Sequence, residues 1–386
     1  MNIRSKLATA FAAALLAACG GGDGGGIGGT GTLHVSMTDA PSCGYDQVNV
    51  TIDRVRVNQS SSAADADGGW SEVVLSPARR VDLLTLQNGV LEDLGQTQLP
   101  AGKYTQLRLV LAPNDAANPL ANSVVPTGGA ETALTTPSAQ QSGLKMNVDI
   151  DVAADKIADV VLDFDACKSV VKRGNSGQYN LKPVITVTPV LSDAGLRVIG
   201  YVDPALGTAS TQVSVQAAGV PVKATAPDAT GKFVLYPVPV GTYDLVVTAS
   251  GRVNAVMTGV PVITTAFTTV NSAALAISPP VATQRAVTGT VTPATATVRA
   301  LQPFTAGPTV EVGWGAVDAT TGAFSFSLPI EAPVKTAYVA NPVTLTFTPD
   351  ATAAGKYTLE AASAGAVKTT SINASAVVPP VTFTFP

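Results

Sequence analysis

The stretch Val48-Asn-Val-Thr-Ile-Asp-Arg-Val-Arg-Val57 decides how the first part of this chain folds. Apolar and polar residues alternate along it, which is the period of a β-strand with one buried face. The apolar residues fall on even numbers up to Ile52 and on odd numbers from Val55. Because such a slip would otherwise turn half of the apolar face into water, the pattern predicts one strand with a β-bulge near Asp53–Arg54.

Further strand patterns lie on both sides of this stretch, at residues 32–38, 107–111, 146–152, 160–164 and 184–188. Only residues 81–94 offer room for a short helix. Charged residues make up 13% of the chain, whereas it holds 35 glycines and 27 prolines, a composition that favours strands and tight turns. We therefore predict an all-β protein of several antiparallel β-sandwiches.

The chain beyond residue 195 contains an internal repeat. Three pairs of segments carry it: 197–204 with 285–293, 228–233 with 318–324, and 241–245 with 355–359. The second copy has about twenty extra residues near 331–350, which we predict to be an added hairpin. The domains expected from these patterns are one larger β domain at 32–191 and two smaller sandwiches at 195–278 and 281–386.

The first of these domains resembles a known family. The resemblance is carried by residues 31–41 with 48–52, Leu99-Pro-Ala-Gly-Lys-Tyr104, Leu162-Asp-Phe-Asp-Ala166 with Ser169, and residues 179–184. Together they resemble the DUF4382 family of bacterial lipoproteins over residues 31–190. The resemblance implies a β-rich domain outside the cytoplasm, and it supplies no catalytic residue.

The second domain resembles another family through Thr230-Gly-Lys-Phe-Val-Leu-Tyr-Pro-Val-Pro-Val-Gly-Thr-Tyr-Asp-Leu245. This stretch is similar to the carboxypeptidase regulatory-like, transthyretin-type sandwich, an Ig-like architecture. In the second copy the turn before Tyr357 is reduced to Ala353-Ala-Gly355. The resemblance implies a carbohydrate-binding-like fold, but a fold alone does not confer a binding site.

The N-terminus has the layout of an export signal: Arg4 and Lys6, then an apolar run too short to span a membrane, then small residues. Leu16-Ala-Ala-Cys19 is similar to the lipobox of bacterial lipoproteins. That resemblance implies removal of residues 1–18, lipidation of Cys19 and a Gly-rich tether over residues 19–31. Gly20 after the lipid cysteine favours the outer membrane. The alternative is an ordinary cleaved signal with an incidental cysteine.

The lipobox interpretation gives the three cysteines two different roles. If Cys19 carries lipid, Cys43 and Cys167 remain in an oxidising compartment, where we predict that they form a disulfide. The bond would close a loop of 123 intervening residues. By chain entropy such a loop stabilises the fold by about 4–5 kcal/mol.

Residues able to carry chemistry are few. His34 is the only histidine and is expected on the polar face of the opening strand; as a catalytic base it would need an orienting partner and a nucleophile. Asp149 and Asp151 share one strand face, and Asp163 and Asp165 share another. If the two strands are neighbours, these four aspartates could bind Ca²⁺, or a pair of them could act as in a glycosidase. The competing interpretation is the solvated face of a half-buried strand.

These features predict a non-enzymatic, lipid-anchored envelope protein that binds or builds structure, with a glycan or a protein as ligand and the region around 112–143 as contact surface. Without residues 1–18 the chain has 21 basic and 27 acidic residues and no basic cluster. This charge argues against nucleic acid and against electrostatic attachment to anionic lipid. The alternative is an enzyme or accessory subunit of envelope polysaccharide processing that uses acids of the first domain.

Overall fold

A computed structural model of the protein describes residues 29–39, 44–136, 142–190 and 194–386. The predicted signal at 1–18, the lipidation site Cys19, most of the tether and Cys43 lie outside these residues. Strands dominate the described chain, as the sequence predicts. None of its helices has the length and apolar character needed to cross a bilayer.

The first unit consists of two sheets that enclose one apolar core. Its strands are β1 Thr30–Asp39, β2 Tyr45–Asn58, β3 Ser71–Asp82, β4 Glu92–Pro100, β5 Gly102–Leu111, β6 Ser123–Pro126, β7 Thr132–Thr135, β8 Leu144–Val152, β9 Ile157–Phe164, β10 Val170–Lys172, β11 Tyr179–Leu181 and β12 Ile185–Val190. The smaller sheet has the order β12-β9-β1-β4, and β1 and β9 run parallel in it. The larger has the order β10-β11-β7-β6-β2-β5-β8, with β3 paired to β2. A 3₁₀ turn at Leu83–Thr85 and a short helix, α1 Ala166–Ser169, complete the unit.

The predicted β-bulge is confirmed. The register of β2 shifts between Ile52 and Arg54 against both β3 and β5. Ile52 and Val55 are consequently both buried in the core, although they differ in sequence phase. Besides pairing with β3, the first half of β2 pairs with β6 and its second half with β5, so this long strand has three partners.

The second and third units each have two sheets of their own. The strands are β13 Val198–Tyr201, β14 Thr211–Ala217, β15 Val220–Thr225, β16 Lys232–Leu235, β17 Gly241–Ala249, β18 Ala255–Val262, β19 Thr268–Thr269, β20 Gln284–Thr292, β21 Thr297–Pro303, β22 Thr309–Gly315, β23 Ala323–Pro329, β24 Val334–Ala337, β25 Thr348–Pro349, β26 Lys356–Ser363, β27 Ala366–Asn373 and β28 Val381–Thr384. The sheets of the second unit are β16-β13-β19 and β15-β14-β17-β18-β24-β25, and those of the third are β23-β20-β28 and β22-β21-β26-β27. Short 3₁₀ turns lie at Pro204–Leu206, Thr208–Ser210, Ala273–Leu275 and Ala351–Ala353.

The extra residues near 331–350 form β24 and β25, but this strand pair joins the second unit rather than the third. β24 lies parallel to β18, with Val334 opposite Ala255. Val334 is buried in the core of the second unit, and Leu345 and Phe347 pack against that core. Part of the second sequence repeat therefore completes the larger sheet of the second unit.

The same tyrosine contact closes a turn in the first two units. Each has the spacing Pro-x-Gly-x-Tyr, and the hydroxyl donates to the carbonyl of its own proline: Tyr104 to Pro100 at 2.9 Å and Tyr243 to Pro239 at 2.8 Å. In the third unit the proline of this turn is absent from the sequence, and the hydroxyl of Tyr357 donates to Pro329, at 2.6 Å. Tyr357 can remain buried because a different carbonyl accepts the hydrogen bond of its hydroxyl group.

Candidate functional site: the junction of the three units

A cavity of about 390 Å³ lies where the three units meet. Tyr45 and Lys168 line it from the first unit, Gln212 and Arg252 from the second, and Trp314 from the third. Its volume falls in the range of small-molecule sites. We call it the junction cavity.

The short helix α1 places a lysine in the wall of this cavity. Asp165 caps α1 by accepting a hydrogen bond from the Lys168 backbone N–H at 3.0 Å. The Nζ of Lys168 lies 3.1 Å from Oε1 of Glu311 and 4.9 Å from the centre of the Trp314 ring. Burial raises the pKa of Asp165, and the positive charge of Lys168 opposes that rise. The first unit thus contacts the third through an ion pair and a cation–π contact.

The second and third units are joined by a glutamine that pairs with backbone. The Nε2 of Gln216 donates to the carbonyl of Glu311, and its Oε1 accepts from the N–H of Glu311, both at 2.8 Å. Arg299 adds a hydrogen bond to the carbonyl of Gly219 at 2.9 Å. Gln216 and Glu311 are both buried, so each polar group depends on its partner across the boundary.

The first and second units are joined in the same manner. The Oδ1 of Asn88 accepts from the N–H of Val234 at 2.6 Å, and the backbone N–H of Asn88 donates to Oγ1 of Thr225 at 2.7 Å. Lys223 of β15 forms an ion pair with Asp163 of β9, with Nζ 2.6 Å from Oδ1. Polar contacts from defined side chains therefore fix these two units side by side.

The four aspartates predicted as a Ca²⁺ site do not come together. Asp149 and Asp151 are exposed on β8 of the larger sheet, where Asp149 lies 2.8 Å from the Nζ of Lys103. Asp163 lies near the end of β9, which belongs to the smaller sheet, and Asp165 follows that strand as the cap of α1. The predicted convergence fails because β8 and β9 belong to different sheets. Within the described chain, no group of three or more His, Cys, Asp or Glu residues could hold a metal ion.

Asp39, which the sequence placed in the opening turn and outside the four predicted ligands, is a buried acid at the end of β1. Its Oδ1 accepts from the N–H of Ala166 at 2.9 Å, and its Oδ2 has no partner among the described residues. Burial raises the pKa of Asp39 well above its ordinary value; the hydrogen bond from Ala166 opposes the rise, and the nearby charges of Asp165 and Asp163 add to it. Asp39 continues the odd-numbered apolar face of β1, which is the signal that could have revealed it.

His34 lies half-buried on the outer face of the smaller sheet, in line with its predicted polar face. Its Nδ1 is 2.7 Å from Asp159 and its Nε2 is 3.1 Å from Asp93. Both ring nitrogens therefore face carboxylates rather than a hydroxyl or thiol nucleophile. These two contacts fix the orientation of the ring at the surface of the sheet.

Cys167 is the second residue of α1 and is half-buried. Its predicted partner Cys43 lies outside the described residues, so the disulfide stays a prediction. Cys19 also lies outside them, and its lipidation likewise stays a prediction.

Comparison with known proteins identifies the first unit. No curated protein matches the chain. Among solved structures, the chain is similar to two interface mutants of a type II cohesin–X-dockerin complex from Acetivibrio cellulolyticus, at 20% and 22% identity and a TM-score of 0.20 each, covering 23% of this chain and 60% of theirs. A streptococcal ancillary pilin aligns over 92% of this chain and 98% of its own, at 10% identity and a TM-score of 0.17. Residues 30–183 match the family described as a domain of unknown function, DUF4382, so the chain carries a DUF4382 domain followed by further β-sheet units.

Proposed function

We propose that this protein is a lipid-anchored envelope protein that acts as a non-catalytic binding or structural module. The observation that carries the proposal is the junction: buried polar contacts fasten the units to one another around a shared cavity. A site that exists before its ligand arrives avoids part of the ordering cost of binding. A rigid, preformed junction therefore suits recognition or adhesion.

A carbohydrate is the ligand class that the lining of the junction cavity supports best. Tyr45 and Trp314 supply aromatic surface, and the amides of Gln212, Asn254 and Gln284 supply donors and acceptors for hydroxyl groups. The enzymatic alternative has weaker support. Two of the first-domain acids that it could use, Asp163 and Asp165, are held by Lys223 and Lys168.

The ligand proposal is tested by a glycan array probed with the detergent-solubilised full-length protein. We expect a defined set of glycans to bind, and Gln212→Ala or Trp314→Ala to reduce that binding at least tenfold. Val343→Ala is the matched control, because Val343 is 89% exposed and does not line the junction cavity. Binding that survives both cavity variants would place the site elsewhere, and silence across all glycans would favour a protein ligand or a structural role.

We further propose that Cys19 carries the lipid and that the protein is held at the outer membrane. Support comes from the lipobox-like Leu16-Ala-Ala-Cys19 and from Gly20. In a detergent phase split, the wild-type protein should enter the detergent phase and Cys19→Ala the aqueous phase. A purified protein that still begins at Met1, or a Cys19→Ala variant that still enters the detergent phase, would contradict the proposal.

A further inference from the structure

A lysine and an aspartate meet in a nearly dry environment at the boundary between the first and second units. The Nζ of Lys223 lies 2.6 Å from Oδ1 of Asp163. Only 2% of the Lys223 side chain and 13% of the Asp163 side chain are exposed. Withdrawing two such charges from water is unfavourable unless further hydrogen bonds satisfy them.

Among the residues that the structure describes, those further hydrogen bonds are missing at Lys223. A lysine ammonium carries three N–H donors. Within the described chain, Asp163 Oδ1 is the one acceptor that this Nζ has. The ammonium group of Lys223 therefore lies against the carboxyl group of Asp163 with little else to stabilise a buried charge.

A third group in the same region is able to carry a proton. Asp39 is 1% exposed, its Oδ2 has no partner among the described residues, and the charges of both Asp163 and Lys223 act on it. It lies on β1, and its neighbour Thr38 is directly opposite Asp163 on β9. The region thus contains an amine, a carboxyl group in contact with it and a second buried carboxyl group nearby.

We propose that Lys223 and Asp163 condense to an isopeptide bond that joins the first and second units covalently. A proton first passes from the ammonium to the carboxylate of Asp163, which gives the neutral pair. The Nζ then attacks Cγ and forms the new C–N bond. The C–O bond to the carboxyl hydroxyl breaks, and this oxygen leaves as water with its own proton and one from the amine. No oxidant or co-reactant is consumed, and Asp39 relays protons during the exchange.

The fold supplies the conditions for this reaction. The hydrogen bonds of Asn88 to Val234 and Thr225 hold the two units in place independently of the reacting pair. Groups held in contact react far faster than the same groups free in solution. The product replaces two poorly hydrated ions with one neutral amide, so burial favours the product over the reactants.

Peptide mapping of the full-length protein tests the proposal. After reduction, alkylation and trypsin digestion, we expect peptides 157–168 and 198–232 as one branched species, lighter than their sum by the mass of one water, with no cleavage after Lys223. Lys223→Arg and Asp163→Ala should each abolish this species. Lys168→Arg is the matched control, because Lys168 also pairs with carboxylates at the junction, and it should retain the species.

The wild-type digest alone can overturn the proposal, so the outcome does not depend on whether a variant folds. Unlinked peptide 157–168, together with complete cleavage after Lys223, would show that the pair is an ordinary ion pair. A branched species that persists in Lys223→Arg would assign the bond to another residue. Neither result would bear on the glycan-binding proposal, which concerns the junction cavity.

Discussion

At the scale of single residues, Asp39 links the burial of one carboxyl group to the pH dependence of stability. Its pKa is raised by burial, so between the unfolded and the folded pKa the folded state binds more protons. The contribution of Asp39 to stability is therefore greatest at a pH below its pKa in the unfolded chain. It is lost as the pH rises through its pKa in the folded protein. Asparagine keeps an oxygen for the N–H of Ala166 and cannot ionise.

We therefore expect the melting temperature of Asp39→Asn, relative to wild type, to increase as pH rises from 4 to 8. Thermal unfolding followed by circular dichroism measures this difference. Asp151→Asn, an exposed change on β8, serves as the control and should show no such trend. A constant or falling difference for Asp39→Asn would show that the carboxyl group is not held with a raised pKa.

The sequence pattern grouped Asp163 with Asp149 and Asp151, which lie on β8 of the other sheet. Lys223 and Asp163 are separated by 59 residues, and each stands in an ordinary strand pattern. Nothing in a single sequence pairs residues between units, because the pairing depends on how the sheets pack. Gln216 illustrates the same limit. Gln216 lies on the same polar strand face as Gln212 and Ser214. From the sequence alone this face is expected in solvent, whereas in the structure the third unit covers Gln216.

At the scale of elements, the sequence pattern predicted those features that depend on a single strand or on neighbouring residues. The bulge in β2 follows from the phase of a single strand, and the added hairpin follows from comparing the two repeats. Helix α1 was not predicted, because its four residues depend on the Asp165 cap and on the Asp39 contact to Ala166. The sheet that β24 joins could not be predicted either, since both units offer strands of similar composition.

A turn that begins Asp-Ala-Thr occurs in both repeats and gives a prediction at this scale. It ends at Gly231 in the second unit and at Gly322 in the third. Gly231 has φ +81°, and an added Cβ would lie 2.0 Å from the carbonyl oxygen of Val202. Gly251 has a similar φ of +70° but no atom within 4 Å of an added Cβ. Gly251→Ala should therefore cost about 1 kcal/mol of unfolding free energy, the cost of the left-handed conformation alone.

Gly231→Ala adds a backbone clash to the same strain and should cost at least about 2–3 kcal/mol. Urea unfolding of both variants gives the comparison. Gly322 should behave like Gly231, because its φ is +68° and an added Cβ would lie 2.1 Å from the carbonyl of Val291. Equal losses for Gly231→Ala and Gly251→Ala would mean that the turn moves to relieve the clash.

At the scale of the whole molecule, the predicted disulfide would tie the end of β1 to α1. The hydrogen bond from Ala166 to Asp39 already brings these elements together, at 2.9 Å. Cys167 follows Ala166, and Cys43 is four residues beyond Asp39, a span of at most about 14 Å. We expect Cys43 and Cys167 to resist thiol labelling in denaturant until a reductant is added. Labelling of both without reductant would contradict the disulfide.

The junction gives the last prediction, because it decides whether the units unfold together. Gln216→Ala removes both hydrogen bonds to the backbone of Glu311 and leaves a buried N–H and C=O without partners. Each such group costs about 1–3 kcal/mol. Gln212→Ala, on the same strand face but half-buried, is the matched control. In calorimetry we expect Gln216→Ala to lower or divide the unfolding transition and Gln212→Ala to leave it unchanged. If the two variants gave the same trace, the second and third units would unfold independently, and the junction would be a contact between separate domains rather than the rigid centre of the molecule.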